Sequence, residues 1–319
     1  MSDLVIRTVP MMGTVVSIQI VGHGGSGELR IERESAIGRA FAWFSSVEAC
    51  CTRFDERSEL RRLCARVGEP VVVSETLFGA LHFALTVAAE SDGAFDPTVG
   101  GRMEARGFDA NHRTGERVRS AGATPNGASY RDVVLDVGKR SVTIQRPLTL
   151  DLGAVAKGLA TDLAAHELAP FGNFGIDAGG DLYLGGTNAD GEAWTAGIRH
   201  PRIANDVIET LRVSNAAVCT SGDYERAGIA TDGGLHIVDP RVAAGSAASV
   251  ASATVVAPSA MVADALATAA FVLGPVAGVE FLEHNGVSGV MFTPALERFA
   301  THDFNVGHPE PHGAATHHA

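Results

Sequence analysis

Apolar residues recur along this chain with two spacings, which together predict a mixture of strands and helices. In GTVVSIQIV (13–21), apolar and β-branched positions alternate with polar ones, as is typical of a strand. Ser58, Ser74 and Ser259 stand where helix N-caps are expected. Apolar residues then recur at helical spacing, which predicts three helices, over 28–54, 58–67 and 75–91.

The rest of the chain continues this mixture. Residues 130–153 hold short alternating runs on either side of Gly138 and Lys139, which predicts a β-hairpin. Helices are then predicted over 154–172 and 259–275, with strands over 174–186, 194–201 and 207–222. Because helices and hairpins occur in groups, we expect an α+β fold of antiparallel sheets packed with helices rather than a doubly wound parallel sheet. A single domain over 1–305, built as one body or as two intertwined lobes, should precede a flexible tail over 306–319.

Composition narrows the possible partners. The 319 residues carry a formal net charge of -12, so no general basic surface is available for a phosphate backbone, and we expect no nucleic acid partner. A local basic pocket could still hold a small anion. No run approaches the roughly 18 apolar residues of a membrane-spanning helix, so no membrane span is expected. The N-terminal segment has an early acid and no continuous apolar stretch, which favours a cytoplasmic protein unless a leader has been trimmed.

The segment GHGGSG (22–27) matches the pattern G-x-G-x-x-G that joins a strand to a helix in dinucleotide-binding folds. Such a fold would next need a second strand that ends near an acidic residue. Here the predicted helix is followed by more helix, so a flexible turn is favoured over a dinucleotide site.

LDLGAVAKGLATD (150–162) predicts a strand that ends at Asp151, a tight turn at Gly153 and a helix with Lys157 in its first turns. Helix N-termini attract anions, so Lys157 could meet a phosphate while Asp151 accepts hydrogen bonds from a ribose or a base. The alternative is a surface lysine and a helix-capping aspartate, and this segment considered alone favours that alternative.

DAGGDLYLGG (177–186) places Gly179 and Gly180 inside a predicted strand. Either another group approaches the backbone closely there, or the strand contains a β-bulge. Asp181 would correspondingly contact a ligand or orient a neighbouring loop.

GLHIVDPR (234–241) combines His236, Asp239 and Arg241 around a proline. A histidine in this predicted strand could transfer a proton, with anion contacts from the arginine. A histidine held by structural hydrogen bonds is the commoner case.

The predicted helix over 259–275 is almost wholly apolar, yet Asp264 and Thr268 lie on one face of it, one turn apart. Two hard oxygen ligands at this spacing suit Mg²⁺. Alternatively, Thr268 bonds back to the carbonyl of Asp264, and the Asp264 carboxylate pairs with a base. The helix alone does not decide between these interpretations.

Taken in order, eight segments within residues 11–292 resemble those of the ApbE family, the FAD:protein FMN transferases. They are MMGTVVSI, CTRFDERSELRRL, DGAFDPTVG, LDLGAVAKGLATD, DAGGDLYLGG, TSGDYER, HIVDPR and TVVAPSAMVADALATAAFVLG. The resemblance implies a T-fold-like α+β architecture and a Mg²⁺-dependent enzyme that uses FAD as its substrate. Such an enzyme joins FMN through a phosphoester to a Thr or Ser of an acceptor protein and releases AMP.

The resemblance also implies roles for individual residues. FAD contacts are implied at Met12, Ala94, Phe95, Asp96, Asp151, Lys157 and Val238. Metal ligation is implied for Asp264, Thr268 and the backbone carbonyls of Ala154 and Ala267. His236 is the implied base for the acceptor hydroxyl, and Lys157 the implied positive charge at the phosphates. If these roles are correct, the start of the helix at Ala154 must lie close to Asp264 in the fold.

One segment departs from the family pattern. Many relatives continue FDPTVG with a proline and a tryptophan-bearing segment, whereas this chain has GRMEARGFD, so the cover of the flavin ring should differ over 101–108. Two other functions fit the same resemblance: a Mg²⁺-dependent FAD pyrophosphatase that yields FMN and AMP, and a non-catalytic FAD carrier. Both stay open at this point.

Overall fold

The structure is a computed structural model that describes residues 2–23, 27–111, 114–118, 120, 127–225, 236–242 and 249–304. Within these ranges, antiparallel sheets pack against helices, which confirms the predicted α+β class. The predicted tail over 306–319 lies outside the described residues.

An eight-stranded sheet forms the centre of the fold, and each strand pairs antiparallel with its neighbours. In pairing order, its strands are β1 (Ser2–Met11), β2 (Thr14–His23), β6 (Phe174–Ala178), β7 (Asp181–Gly185), β10 (Ala216–Gly222), β11 (Ser252–Ala257), β12 (Ser288–Phe292) and β13 (Arg298–Ala300). β2 confirms the alternating pattern of GTVVSIQIV, while β1 was not among the predicted strands. β2 and β6 are antiparallel neighbours, so GHGGSG does not open a parallel βαβ unit.

The other described strands form two smaller antiparallel sheets. One contains β3 (Pro70–Val72), β5 (Ser141–Ile144) and β4 (Val133–Asp136), in that order. The other is a hairpin of β8 (Trp194–Arg199) and β9 (Val207–Val213). The β4–β5 hairpin encloses Gly138 and Lys139, as predicted.

Seven α-helices lie within the described residues: α1 (Gly27–Cys51), α2 (Glu59–Cys64), α3 (Glu75–Glu90), α4 (Gly100–Ala105), α5 (Gly153–Leu168), α6 (Ala260–Leu273) and α7 (Pro275–His284). Short 3₁₀ turns cover Tyr130–Asp132 and Ala169–Phe171. The predicted N-caps are confirmed, because the side chains of Ser58, Ser74 and Ser259 accept hydrogen bonds from backbone N–H groups in the first turns of α2, α3 and α6.

The central sheet separates two groups of buried apolar side chains. On one face, Ile18 and Ile176 pack with α1, α3, α5 and α6. On the other, Leu184 packs with Trp194 and Leu211 of the β8–β9 hairpin. Alternate strand residues therefore face opposite layers, as the pleat of a sheet buried on both sides requires. No helix in the described ranges has both the length and the apolar character needed to span a lipid bilayer.

Gly179 and Gly180 form a hairpin turn, so the β-bulge considered for this position is wrong. Ala178 pairs with Asp181 across the turn, and both glycines have positive φ, of 71° and 97°. A two-residue hairpin turn with positive φ at both central positions favours glycine. A Cβ on Gly179 would also overlap the Thr14 side chain, so a neighbouring group does approach this backbone closely.

The helices α5 and α6 cross with unusually close backbones at Gly158. A Cβ built on this glycine would lie 2.5 Å from the carbonyl oxygen of Ala260 and from the Cα of Met261. Only a residue without a side chain leaves room for this approach. The crossing fixes which side chains of α5 face those of α6.

Gly158→Ala should lower the free energy of unfolding by about 1–3 kcal/mol, because its methyl group overlaps the α6 backbone. The matched control is Gly79→Ala in α3, where an added Cβ would meet nothing within 4 Å. Helix propensity should make that control neutral or more stable by up to about 1 kcal/mol. Urea unfolding measures both variants, and equal effects would contradict the close crossing.

Candidate functional site

A cavity of about 150 Å³ lies between α5, α6, the end of β10 and residues 236–238. We call it the acidic cavity, because its described lining includes the carboxylates of Asp96, Asp151, Glu225 and Asp264. It brings together most of the residues to which the resemblance gave a role: Ala94, Phe95, Asp96, Asp151, Ala154, Lys157, His236, Val238, Asp264 and Thr268.

Lys157 lies in this cavity and not on the open surface. Its ammonium nitrogen is 3.2 Å from Oδ2 of Asp264, and it also forms an ion pair with Asp181. The interpretation of Lys157 as a surface lysine is therefore wrong. Asp151 does act as a helix-capping aspartate, as considered above, since its Oδ1 accepts a 2.7 Å hydrogen bond from the N–H of Gly153 at the start of α5.

Asp264 and Thr268 both face the acidic cavity from α6. Asp264 pairs with a base, Lys157, as the alternative interpretation required. The hydroxyl of Thr268 instead lies 3.1 Å from the hydroxyl of Ser221 on β10. Both polar groups of α6 are thus engaged across the cavity, where a ligand could also reach them.

The start of α5 meets this part of α6, as expected. Ala154 lines the same cavity as Asp264, and its backbone (φ -92°, ψ 16°) departs from helical geometry. Ala267 is fully buried inside α6 and does not line the acidic cavity. Its implied carbonyl contact stays a prediction.

A second cavity of about 400 Å³ adjoins the first and shares Asp151, Gly153 and Lys157 with it. We call it the aromatic cavity, because Phe54 and Phe108 line it. Its volume falls within the roughly 300–1,000 Å³ of ordinary ligand pockets. Met12 lines this cavity from the turn between β1 and β2, where its backbone is left-handed (φ 50°), and it lies outside the acidic cavity.

Arg53 is a buried cation in the wall of the aromatic cavity. Its Nε donates a 2.6 Å hydrogen bond to Oδ2 of Asp151, and its Nη2 donates one of 2.6 Å to the carbonyl of Phe108. The guanidinium also stacks 4.1 Å above the ring of Phe54. One side chain thus joins the turn before α5 to two aromatic residues of the wall.

The Ala94–Phe95–Asp96 stretch is held against the same turn. Asp96 accepts hydrogen bonds from the N–H and hydroxyl of Thr98, at 2.8 and 2.7 Å, and from the N–H of Tyr130 at 3.0 Å. The backbone N–H of Asp151 donates to the carbonyl of Pro97 at 2.7 Å. Burial raises the pKa of the Asp96 carboxyl above its ordinary value, although the bonds from Thr98 oppose this change.

His236 faces the acidic cavity from a bend and not from the strand that was predicted. Its Nε2 lies 3.9 Å from a carboxylate oxygen of Glu225, which would attract the ring in its protonated form. Arg102 donates long hydrogen bonds, of 3.4 and 3.3 Å, to the carbonyls of Asp239 and Val242. These contacts hold the segment that carries the histidine.

Known proteins resemble this chain in both sequence and fold. The sequence profile of the ApbE family matches residues 12–292 of this chain. The chain therefore belongs to the ApbE family.

Several relatives in this family have names that state an activity. The FAD:protein FMN transferase of Haemophilus influenzae is 27% identical over 91% of this chain and 86% of its own length. That of Treponema pallidum is 30% identical over 83% and 77%. Among solved structures, the ApbE protein of Thermotoga maritima superposes with a TM-score of 0.79, at 29% identity over 94% of this chain and 97% of its own. The flavin transferase ApbE of Vibrio cholerae gives a TM-score of 0.80 at 24% identity, over 95% and 99%.

The resemblance gave no role to several residues in or beside the two cavities, although a ligand contact or a loop contact was considered for Asp181. Asp181, Ser221 and Glu225 belong to segments that resemble the ApbE family, but only the fold shows that they reach the acidic cavity or its lysine. Arg53 lies in a third such segment, where its charge alone gave no sign of burial. The signal that could have found them was the resemblance itself, applied to every polar residue in each segment.

The segment that was expected to depart from the ApbE pattern lines both cavities. It forms α4, from which Met103 reaches the acidic cavity, and continues to Phe108 in the aromatic cavity. Both side chains are buried. A departure over 101–108 would therefore change the walls of the cavities and not the polar residues at the start of α5 and on α6.

Arg53→Met should lower the free energy of unfolding by about 3 kcal/mol, because it leaves the Asp151 carboxylate without its buried cation. Arg53→Met combined with Asp151→Asn should recover much of this loss, since no unpaired charge remains. Arg57→Met is the matched control, because Arg57 pairs with Asp55 at the surface and should not affect unfolding measurably. Urea unfolding tests all three, and a double variant no more stable than Arg53→Met would contradict the charge argument.

Proposed function

We propose that this chain is an FAD:protein FMN transferase that depends on Mg²⁺. The proposal is carried by one observation, the meeting of Ala154, Lys157, Asp264 and Thr268 at a single cavity that adjoins a larger aromatic one. An aromatic cavity beside a polar one suits a molecule with ring systems at its ends and a pyrophosphate between them. The named relatives support the same activity.

The donor atoms suit Mg²⁺. Asp264 offers a carboxylate, Thr268 and Ser221 offer hydroxyls, and Ala154 offers a carbonyl at the irregular start of α5. Mg²⁺ prefers such oxygen ligands and commonly uses few carboxylates together with substrate phosphates. Within the described residues, no cluster of three or more His, Cys, Asp or Glu side chains could hold a metal ion, so a site here would need the hydroxyl and carbonyl oxygens.

The charges around the cavity favour the same proposal. Among its described lining residues, Asp96, Asp151, Glu225 and Asp264 carry four carboxylates, of which Arg53 offsets Asp151 and Lys157 offsets Asp264. A pyrophosphate entering this surplus of negative charge would be repelled. Asp264, Thr268 and the carbonyl of Ala154 would hold a divalent cation, which would supply the missing positive charge beside the phosphorus.

In the proposed reaction, a Thr or Ser hydroxyl oxygen of the acceptor protein attacks the phosphorus of the FMN half of FAD. A new P–O bond forms to the acceptor, the pyrophosphate P–O bond breaks, and AMP leaves. His236 takes the hydroxyl proton, and Lys157 holds the phosphates in place. FAD contacts are proposed for Met12, Ala94, Phe95, Asp96, Asp151, Lys157 and Val238, and metal contacts for Ala154, Asp264, Ala267 and Thr268.

Incubation with FAD, Mg²⁺ and a candidate acceptor protein should produce a covalent flavin band on a denaturing gel. Asp264→Ala should reduce the rate at least about 100-fold, because the cation loses its carboxylate. Asp303→Ala removes an exposed carboxylate and should keep full activity. Equal rates for the two variants would contradict the assigned metal site.

His236→Ala should slow flavin transfer by roughly 10²–10⁴-fold, as expected for loss of a general base. Because this side chain acts on the acceptor proton, the dissociation constant for FAD should stay within about threefold of the unchanged protein. Fluorescence titration measures FAD binding and the covalent band measures transfer. A loss confined to FAD affinity would assign His236 to binding instead.

The same cavity could admit water in place of the acceptor hydroxyl, which would make the chain an FAD pyrophosphatase. Free FMN and AMP would then form at full rate without any acceptor protein. FAD that stays intact for hours with Mg²⁺ and acceptor would instead identify a carrier. Location in the cytoplasm stays a prediction, which fractionation of cells can check.

A further inference from the structure

Three charged side chains from separate elements meet beside the acidic cavity. Lys157 comes from α5, Asp264 from α6, and Asp181 from the first position of β7. The side chain of Asp181 is 6% exposed, that of Asp264 9% and that of Lys157 23%. A single ammonium group therefore forms ion pairs with two carboxylates that have little contact with water.

A divalent cation at Asp264 would compete with this arrangement. The ammonium of Lys157 lies 3.2 Å from Oδ2 of Asp264, and two positive charges repel strongly at such distances when water is largely excluded. The cation and Lys157 therefore need different carboxylates. Asp181 is the second carboxylate that Lys157 already contacts.

The side chain of Asp181 is held in place by its surroundings, so it cannot move with the lysine. It directly follows the two-glycine turn, whose Gly179 lies tight against Thr14. Its Oδ1 accepts a hydrogen bond of 3.3 Å from the backbone N–H of Thr220 on β10, which leaves Oδ2 for Lys157. The carboxylate is thus tied to the sheet, and the flexible lysine is tied to it.

We propose that Asp181 is a positioning residue, which holds the ammonium of Lys157 so that the carboxylate of Asp264 is free to bind a divalent cation. The inference rests on the proposed function, since it takes Asp264 as a metal ligand. It deepens that function by explaining how one cavity keeps a lysine for the phosphates and a carboxylate for the cation. Asp181 does not line the acidic cavity, so it would itself touch neither the phosphates nor the cation.

A double-mutant cycle with Mn²⁺ as the probe tests this inference without any turnover. Free Mn²⁺ is measured by electron paramagnetic resonance on protein with and without AMP, whose phosphate can add ligands to the cation. Asp181→Asn should weaken Mn²⁺ binding about tenfold when Lys157 is present, because the lysine then stays on Asp264. In the Lys157→Met background, the same substitution should weaken binding less than about threefold.

The result that overturns the inference is an equal loss in both backgrounds, because Asp181 would then act on the cation without Lys157. Asp181→Glu gives a second test that does not depend on the asparagine variant folding. It keeps the charge and changes the shape, so Mn²⁺ binding should stay within about threefold of the unchanged protein. A loss of about tenfold or more would show that a carboxylate at position 181 is not enough to hold Lys157, which would overturn the inference.

The same titration separates this inference from the proposed function. Asp264→Asn should weaken Mn²⁺ binding more than any other single substitution here. If it has no effect, or if the unchanged protein does not bind Mn²⁺, the proposed metal site is wrong and the role of Asp181 falls with it. If Asp264 is required but the cycle shows no coupling, only the role of Asp181 is wrong.

Discussion

The crossing of α5 and α6 is the constraint on which the arrangement of both cavities depends. Gly158 lets the two backbones approach so closely that a methyl group would not fit between them. Lys157, the preceding residue, is thereby directed to Asp264, and the irregular turn at Ala154 is brought to the same cavity. Apolar packing of the two helices supplies the stability that holds these polar groups together.

Pairing of opposite charges explains why a lysine and two carboxylates are tolerated where little water reaches them. Burial of an unpaired charge is costly, and each member of this group has an opposite charge within reach. The group nevertheless retains one negative charge in excess. Such a surplus is a stable feature only if solvent, or a positive ligand in the cavity, compensates it. The acidic composition of the protein and a phosphate-containing substrate are thus compatible when a cation accompanies that substrate.

The sequence could predict what is encoded locally. The helix α6 follows from its apolar spacing and from Ser259 as N-cap, and the shared face of Asp264 and Thr268 follows from helical geometry. The partner of Asp264 could not be predicted in this way, because Lys157 lies 107 residues away and packing alone brings it close. Only the resemblance to a family linked the two segments.

Other differences between expectation and structure have similar physical causes. Two glycines in an alternating run fit a bulge or a turn equally well, and pairing of Ala178 with Asp181 decides for the turn. GLHIVDPR suggested a strand at His236, but His236 and Ile237 form a bend, and Arg102 contacts the backbone carbonyls of two later residues. Local pattern does not show which segments find a neighbouring strand to pair with.

Both cavities combine polar residues with apolar walls. The start of α5 supplies polar residues to both cavities and α6 to the acidic one, whereas the segment expected to depart from the ApbE pattern supplies Met103 and Phe108 to their walls. Chemistry at a pyrophosphate depends on fixed charges and oxygen ligands, which tolerate little change. An apolar wall needs only volume and shape, so different side chains can cover the same ring. Differences between this chain and its relatives should therefore lie in how tightly a ring is covered and how readily water enters, with the phosphate chemistry itself unchanged.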